Sequence, residues 1–159
     1  MSRTDPARVV FDCNVYSQAL ISPKGPAAAC LTGAQQGDIL PFVSDYVLQE
    51  VRELPRKIKP KYGVDDTSIE RLIHDLETFA YFVKDVPSVY VHPIDPDDSH
   101  YIDPAVATKA QIITTRDEHL HRLMDQTQQI GRDFKRLFPA IAVIGPETLA
   151  ERIRQQRGL

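Results

Sequence analysis

The sequence has 159 residues, of which 42% are hydrophobic and 26% charged, a balance that suits one globular domain and excludes an intrinsically disordered chain. Its formal net charge of −3 excludes a protein that coats nucleic acid by electrostatics alone, yet it suits an enzyme whose acidic centre is neutralised by bound metal. No apolar run approaches the roughly 18 residues of a membrane span, Met1 to Val10 contain no leader core, and Cys13 and Cys30 are too few for a disulfide framework or a zinc site; the expectation is a cytoplasmic protein with two reduced, buried thiols.

Arg8-Val9-Val10-Phe11 is a short β-branched apolar run that predicts a buried strand, with Asp12 at its carboxyl end. Pro23, Gly25 and Pro26 mark a turn, and Ala27 to Gln36 reads as a helix closed by Gly37. Ile39 to Val43 reads as the second strand. Ser44 suits the N-cap of the next helix, and Asp45 adds negative charge to its first turn. In that helix Tyr46, Val47, Glu50, Val51 and Leu54 recur at helical spacing, and Pro55 and Pro60 are expected to break or end it.

Thr67-Ser68-Ile69-Glu70 has the spacing of a capping box ahead of an amphipathic helix carrying Ile69, Leu72, Ile73, Leu76 and Phe79. Val83 to Val91 reads as extended chain broken by Pro87, and Asp95-Pro96-Asp97-Asp98-Ser99 as a turn feeding a helix. Gln111 to Thr114 is another strand, followed by Thr115-Arg116-Asp117. Residues 118 to 137 read as partly helical with Gly131 as an interruption, Ile141 to Ile144 as the last strand, and Pro146 as the first turn of a closing helix through Arg154. Strands alternating with helices imply a single α/β domain over residues 1–159, with a mainly parallel sheet of four or five strands flanked by helices. Two basic stretches, Arg52 to Lys61 and Arg132 to Arg136, read as solvated helix faces.

Asp12 and Asp117 each follow a strand end, where open α/β sheets gather their ligand chemistry. Glu50 lies about two turns into the helix after the second strand, and Asp98 lies at the start of another helix. Four acids converging on one sheet edge with no nearby Lys or Arg repel one another. A hard divalent cation, Mg²⁺ or Mn²⁺, relieves that repulsion and activates water for in-line attack on a phosphodiester.

The segment Val9-Val10-Phe11-Asp12-Cys13-Asn14-Val15 resembles the opening of PIN-domain proteins, in which a strand ends in Asp-x-Asn. Ser44 to Glu50 is similar to that family's Ser-initiated helix leading to an acid. Asp95 to Asp98, followed by Ala110 to Asp117, is similar to its acidic turn, helix, strand and Thr-x-Asp ending. Order and spacing hold from residue 9 to 120. The resemblance implies a metal-dependent ribonuclease with Asp12, Glu50, Asp98 and Asp117 as catalytic and metal-binding acids. It places Asn14, Ser44, Asp103 and Thr115 on the substrate or in support of the acids, RNA as substrate, and a homodimer as the assembly. It also suggests the branch of VapC-like toxins, with an antitoxin protein as partner. Gln111 stands where many relatives have an acid, and His119 replaces a frequent second acid after Asp117. Two other classes compete: a PIN-like module that only binds RNA or protein, and a Mg²⁺-binding phosphoacceptor domain.

The third acid has two candidates. A helix starting at Ser99 makes Asp98 the ligand but encloses Pro104, at a cost on the order of 3 kcal/mol. A helix starting at Asp103 would use that residue as cap. The family spacing favours Asp98. His119 and His121 are expected as exposed helix residues rather than ligands, and Tyr81, Phe82, Tyr90 and Tyr101 as core aromatics.

Overall fold

The computed structural model describes residues 5–158, so the part of the leader reading that falls on residues 1–4 lies outside the described residues. The elements run β1 (Ala7–Phe11), α1 (Cys13–Ile21), α2 (Pro26–Gln35), β2 (Ile39–Ser44), α3 (Asp45–Lys57), α4 (Asp66–Phe79), β3 (Tyr81–Val83), α5 (Ser99–Ala107), β4 (Ile112–Thr114), α6 (Glu118–His121), α7 (Gln129–Leu137), β5 (Ala142–Ile144) and α8 (Pro146–Gln156). The five strands form one fully parallel sheet in the order β3-β2-β1-β4-β5. Strand order reverses beside β1, so the carboxyl ends of β1 and β4 flank a topological switch point. Val9, Val10 and Phe11 are buried in the middle of the sheet, which explains the continuous apolar run without polar alternation. No helix among the described residues is long and apolar enough to cross a membrane.

Several local expectations are corrected by packing. Pro55 does not end α3, which runs on to Lys57 and closes with the Ile58 N–H on the Leu54 carbonyl at 3.0 Å; the proline forgoes one backbone bond without stopping the helix. The capping box of α4 is built two residues earlier than Thr67 and Glu70: Asp65 accepts from the Ser68 amide at 2.8 Å, and the Ser68 hydroxyl takes the Asp65 N–H at 3.0 Å. Gly131 does not interrupt a helix but lies inside α7, where a β-carbon would come 1.9 Å from the Asp125 carbonyl oxygen. The extended stretch ends at Val83, and the chain to Asp95 runs without regular structure. Tyr81 and Phe82 sit on the edge strand, Tyr81 being 54% exposed, and only Tyr101 of the four aromatics is fully in the core.

Candidate metal centre

β1 ends in Asp12, which caps α1 by accepting the Asn14 N–H at 3.2 Å on Oδ1. Its second oxygen accepts from the Thr115 hydroxyl at 2.7 Å, and the Thr115 oxygen in turn accepts the Asp117 N–H at 2.9 Å. One buried hydroxyl, 103 residues along the chain from Asp12, therefore ties the acid after β1 to the acid after β4. Asp117 caps α6 by accepting the His119 N–H at 2.8 Å. Each acid is thus the N-cap of the helix that follows its strand, and a first-turn amide fixes its carboxylate.

Glu50 projects from α3, whose N-cap is Ser44, its hydroxyl accepting the Val47 N–H at 3.2 Å. The Glu50 Oε2 accepts from the Cys13 thiol at 3.2 Å and the Tyr101 hydroxyl at 3.4 Å. Burial raises the Glu50 carboxyl, but the Tyr46 hydroxyl, the Cys13 thiol, the Lys57 charge and Tyr101 outweigh it and hold Glu50 below the usual range. Burial, then the charge of Asp12, pushes the Cys13 thiol up to about 12, so it serves as a neutral donor and not as a nucleophile.

Asp98 occupies the N-cap position of α5 without making a side-chain cap bond. It is only 4% exposed, and its Oδ2 is buried with no hydrogen-bond partner among the described residues. Burial, followed by the charges of Asp117, Asp95 and Asp12, pushes its carboxyl up to about 7. Asp103 is a different case five residues on. α5 begins at Ser99 and encloses Pro104, so Asp103 is no cap; its Oδ1 accepts the Val89 and Tyr90 N–H groups at 3.0 and 3.1 Å and fastens the irregular stretch after β3.

Asp12, Glu50, Asp98 and Asp117, with the exposed Asn14, line one cavity of about 330 Å³. Lys57 lines it too, which corrects the expectation of a site without basic side chains. Ser44 and Asp103 instead line a neighbouring cavity of about 210 Å³, with Tyr46 shared between the two. A buried carboxylate oxygen without a partner costs free energy unless something positive meets it. A hard divalent cation with oxygen ligands fits that donor set.

Three residues of this region were not anticipated. Asp95, Asp98, Asp117 and His119 each offer a ligand atom, and these atoms lie within 4.8 Å of one another. His119 is accordingly half-buried and faces acids, contrary to the exposed helix position expected for it; His121 is half-buried as well, its Nε2 lying 2.7 Å from the Thr115 carbonyl oxygen. Behind them His92 is fully buried: its Nδ1 accepts the Ile94 and Asp95 N–H groups at 3.1 and 3.2 Å, so its Nε2 carries the proton donated to the His119 carbonyl at 2.9 Å. The acidic turn at 95–98 carried a signal for Asp95 in its density of carboxylates, whereas nothing in the spacing of His92 or His119 marks them.

A family model described as PIN domain matches residues 8–119. No curated protein matches the chain.

Proposed function

The chain belongs to the PIN-domain family, a nuclease fold, and from that premise we propose that it is a metal-dependent endoribonuclease acting through Asp12, Glu50, Asp98 and Asp117 with Mg²⁺ or Mn²⁺. The observation that carries this reading is the buried, partnerless Oδ2 of Asp98 among carboxylates at the carboxyl edge of a parallel sheet. When bound, a divalent cation supplies positive charge to the phosphate and lowers the pKa of a water to the point where it can attack.

The residues of the chain do the positioning. Thr115 and the Asn14 amide hold the Asp12 carboxylate in one rotamer, and the His119 amide does the same for Asp117. Cys13 and Tyr101 fix Glu50 while leaving it ionised, ready to hold or take a proton at its carboxylate. Asn14 is exposed in the cavity, which supports its contacting the substrate phosphate. The exposed cations of α3 and the following turn, Arg52, Arg56, Lys57, Lys59 and Lys61, supply a phosphate-binding flank that the acidic net charge conceals.

The reading extends to a cytoplasmic homodimer that serves as the toxin of a toxin–antitoxin pair, its antitoxin a separate protein. What supports this is the run of motifs from residue 9 to 120 and, for a dimer, the exposed apolar edge at Tyr81 and Phe82. The test is cleavage of single-stranded and structured RNA in Mg²⁺ or Mn²⁺, with product ends mapped. The expected products carry 5′-phosphate and 3′-hydroxyl ends. Activity that persists in EDTA, or 2′,3′-cyclic phosphate ends, would refute the proposal; light scattering decides the dimer separately.

A further inference from the structure

Beside the four acids, the cluster of Asp95, Asp98, Asp117 and His119 contains one donor of a different element. The His119 Nδ1 lies 3.8 Å from Asp95 Oδ2 and 3.9 Å from Asp117 Oδ1. These separations are too long for hydrogen bonds. They match instead donors that share one ion, since two ligands each about 2.1 Å from a metal stand at most about 4.2 Å apart.

The surroundings aim these atoms inward. The Asp95 Oδ1 is taken by the Asp97 N–H at 3.2 Å, which turns its Oδ2 towards His119. The Asp117 Oδ1 is oriented by the His119 amide, and Asp98, buried and with an orphaned Oδ2, completes the group. His92, locked in one tautomer by its three backbone bonds, joins the loop carrying Asp95 to the backbone of His119, so the two outer donors cannot separate without breaking a buried contact.

We infer that His119 is a nitrogen ligand of the metal centre, with Asp95 beside it, and that this mixed oxygen–nitrogen set selects a first-row transition ion such as Mn²⁺ over Mg²⁺. The inference rests on the metal-dependent reading above. Mg²⁺ keeps oxygen ligands and sheds water reluctantly, whereas imidazole suits the transition series. His92 is a positioning residue for this pair: it touches no ligand and acts by holding the two loops that carry them.

The experiment uses the full chain stripped of metal and titrated by calorimetry with Mn²⁺ and with Mg²⁺, alongside pulsed electron paramagnetic resonance of the Mn²⁺-loaded protein. The expected result is Mn²⁺ binding at least about tenfold tighter than Mg²⁺, with ¹⁴N coupling from a directly bound imidazole. In His119→Asp the coupling disappears and the preference falls severalfold, and in His119→Gln the coupling disappears as well; circular dichroism checks that both variants are folded. Mn²⁺ binding that needs Asp98 but has no ¹⁴N coupling, or an ion preference unchanged by His119→Asp, would overturn this inference and leave the nuclease reading standing. Failure of both ions to bind the wild-type chain would overturn the two together.

Discussion

The two ends of the parallel strands solve the same problem in opposite ways. At the amino end, charged groups are consumed by one another or by backbone. Asp38, just before β2, meets the Arg157 guanidinium at 2.6 Å, and Arg8 in β1 donates to the Thr108 carbonyl at 2.8 Å while its own amide bonds the Gln111 side chain at 2.7 Å. At the carboxyl end, Asp12 and Asp98 are more deeply buried than Asp38, yet the Asp98 Oδ2 has no partner and four carboxylates face one cavity. Polar groups that serve folding are paired within the chain. At the switch point the Asp98 Oδ2 is left over, and the charges of Asp117, Asp95 and Asp12 stand against its ionisation.

The strongest way to break this contrast is to remove one acid from the unpaired end. Asp98→Asn is expected to lower RNA cleavage by more than about a hundredfold. Asp103→Asn, which keeps an acceptor for the Val89 and Tyr90 amides, is expected to retain most activity. Reversal of that pair of results in a fluorogenic cleavage assay would place the site on the wrong face of α5.

Next in size is the effect of metal on stability. A cation at one hundred times its dissociation constant stabilises by about 2.7 kcal/mol, which for a chain of this length raises the melting temperature by roughly 5–10 °C. The rise is expected in the wild-type chain by differential scanning fluorimetry and is expected to vanish in Asp98→Asn. An equal rise in both would mean that the ion binds elsewhere.

A smaller effect follows from the raised Asp98 carboxyl, at about 7 in the folded protein against a usual value of 3.8. Because the folded value lies above the unfolded one, ionisation of Asp98 opposes folding. The cost is absent below pH 4, grows between pH 4 and 7, and is complete above pH 7. Without metal, Asp98→Asn should therefore match the wild type at pH 4 and exceed it by about 1–2 kcal/mol at pH 7.5; urea unfolding in EDTA at the two pH values measures the difference. A variant less stable than wild type at pH 7.5 would remove the claim of stored repulsion.

The smallest change belongs to the paired end. Asp38→Ala loses a partly exposed ion pair, so it should destabilise by only about 0.5–1 kcal/mol and leave cleavage and metal affinity unaltered.

The same contrast governs how much of the fold and the site is legible in the sequence. β1, β2, β4 and β5 and the placement of Asp12 and Asp117 follow from short apolar runs, because a strand buried on both faces announces itself by composition. Ser44 and Pro146 mark their helix starts for equally local reasons. Asp95 was legible only as one of a run of carboxylates, and His92 and His119 not at all, because the segment from Lys84 to Asp95 has no hydrophobic period and its course is set by bonds to Asp103, Ser99 and the His119 carbonyl. The choice between Asp98 and Asp103 was legible only as a cost: α5 accepts Pro104 in its interior, so packing of its buried face outweighs the lost hydrogen bond.

The Thr115–Asp12 hydrogen bond has a consequence for synthesis. On the ribosome, β1 and β2 emerge ahead of β4 and can pair before it is made. The partner hydroxyl and Asp117 arrive about seventy residues later, and β4 must then dock against the far side of β1. A chain that stops before β4 therefore has Asp12 held only by the Asn14 N–H on Oδ1, its Oδ2 lacking the Thr115 hydroxyl. Long-range parallel pairing is slow to close, so the acidic centre is completed only once β4 has docked on β1.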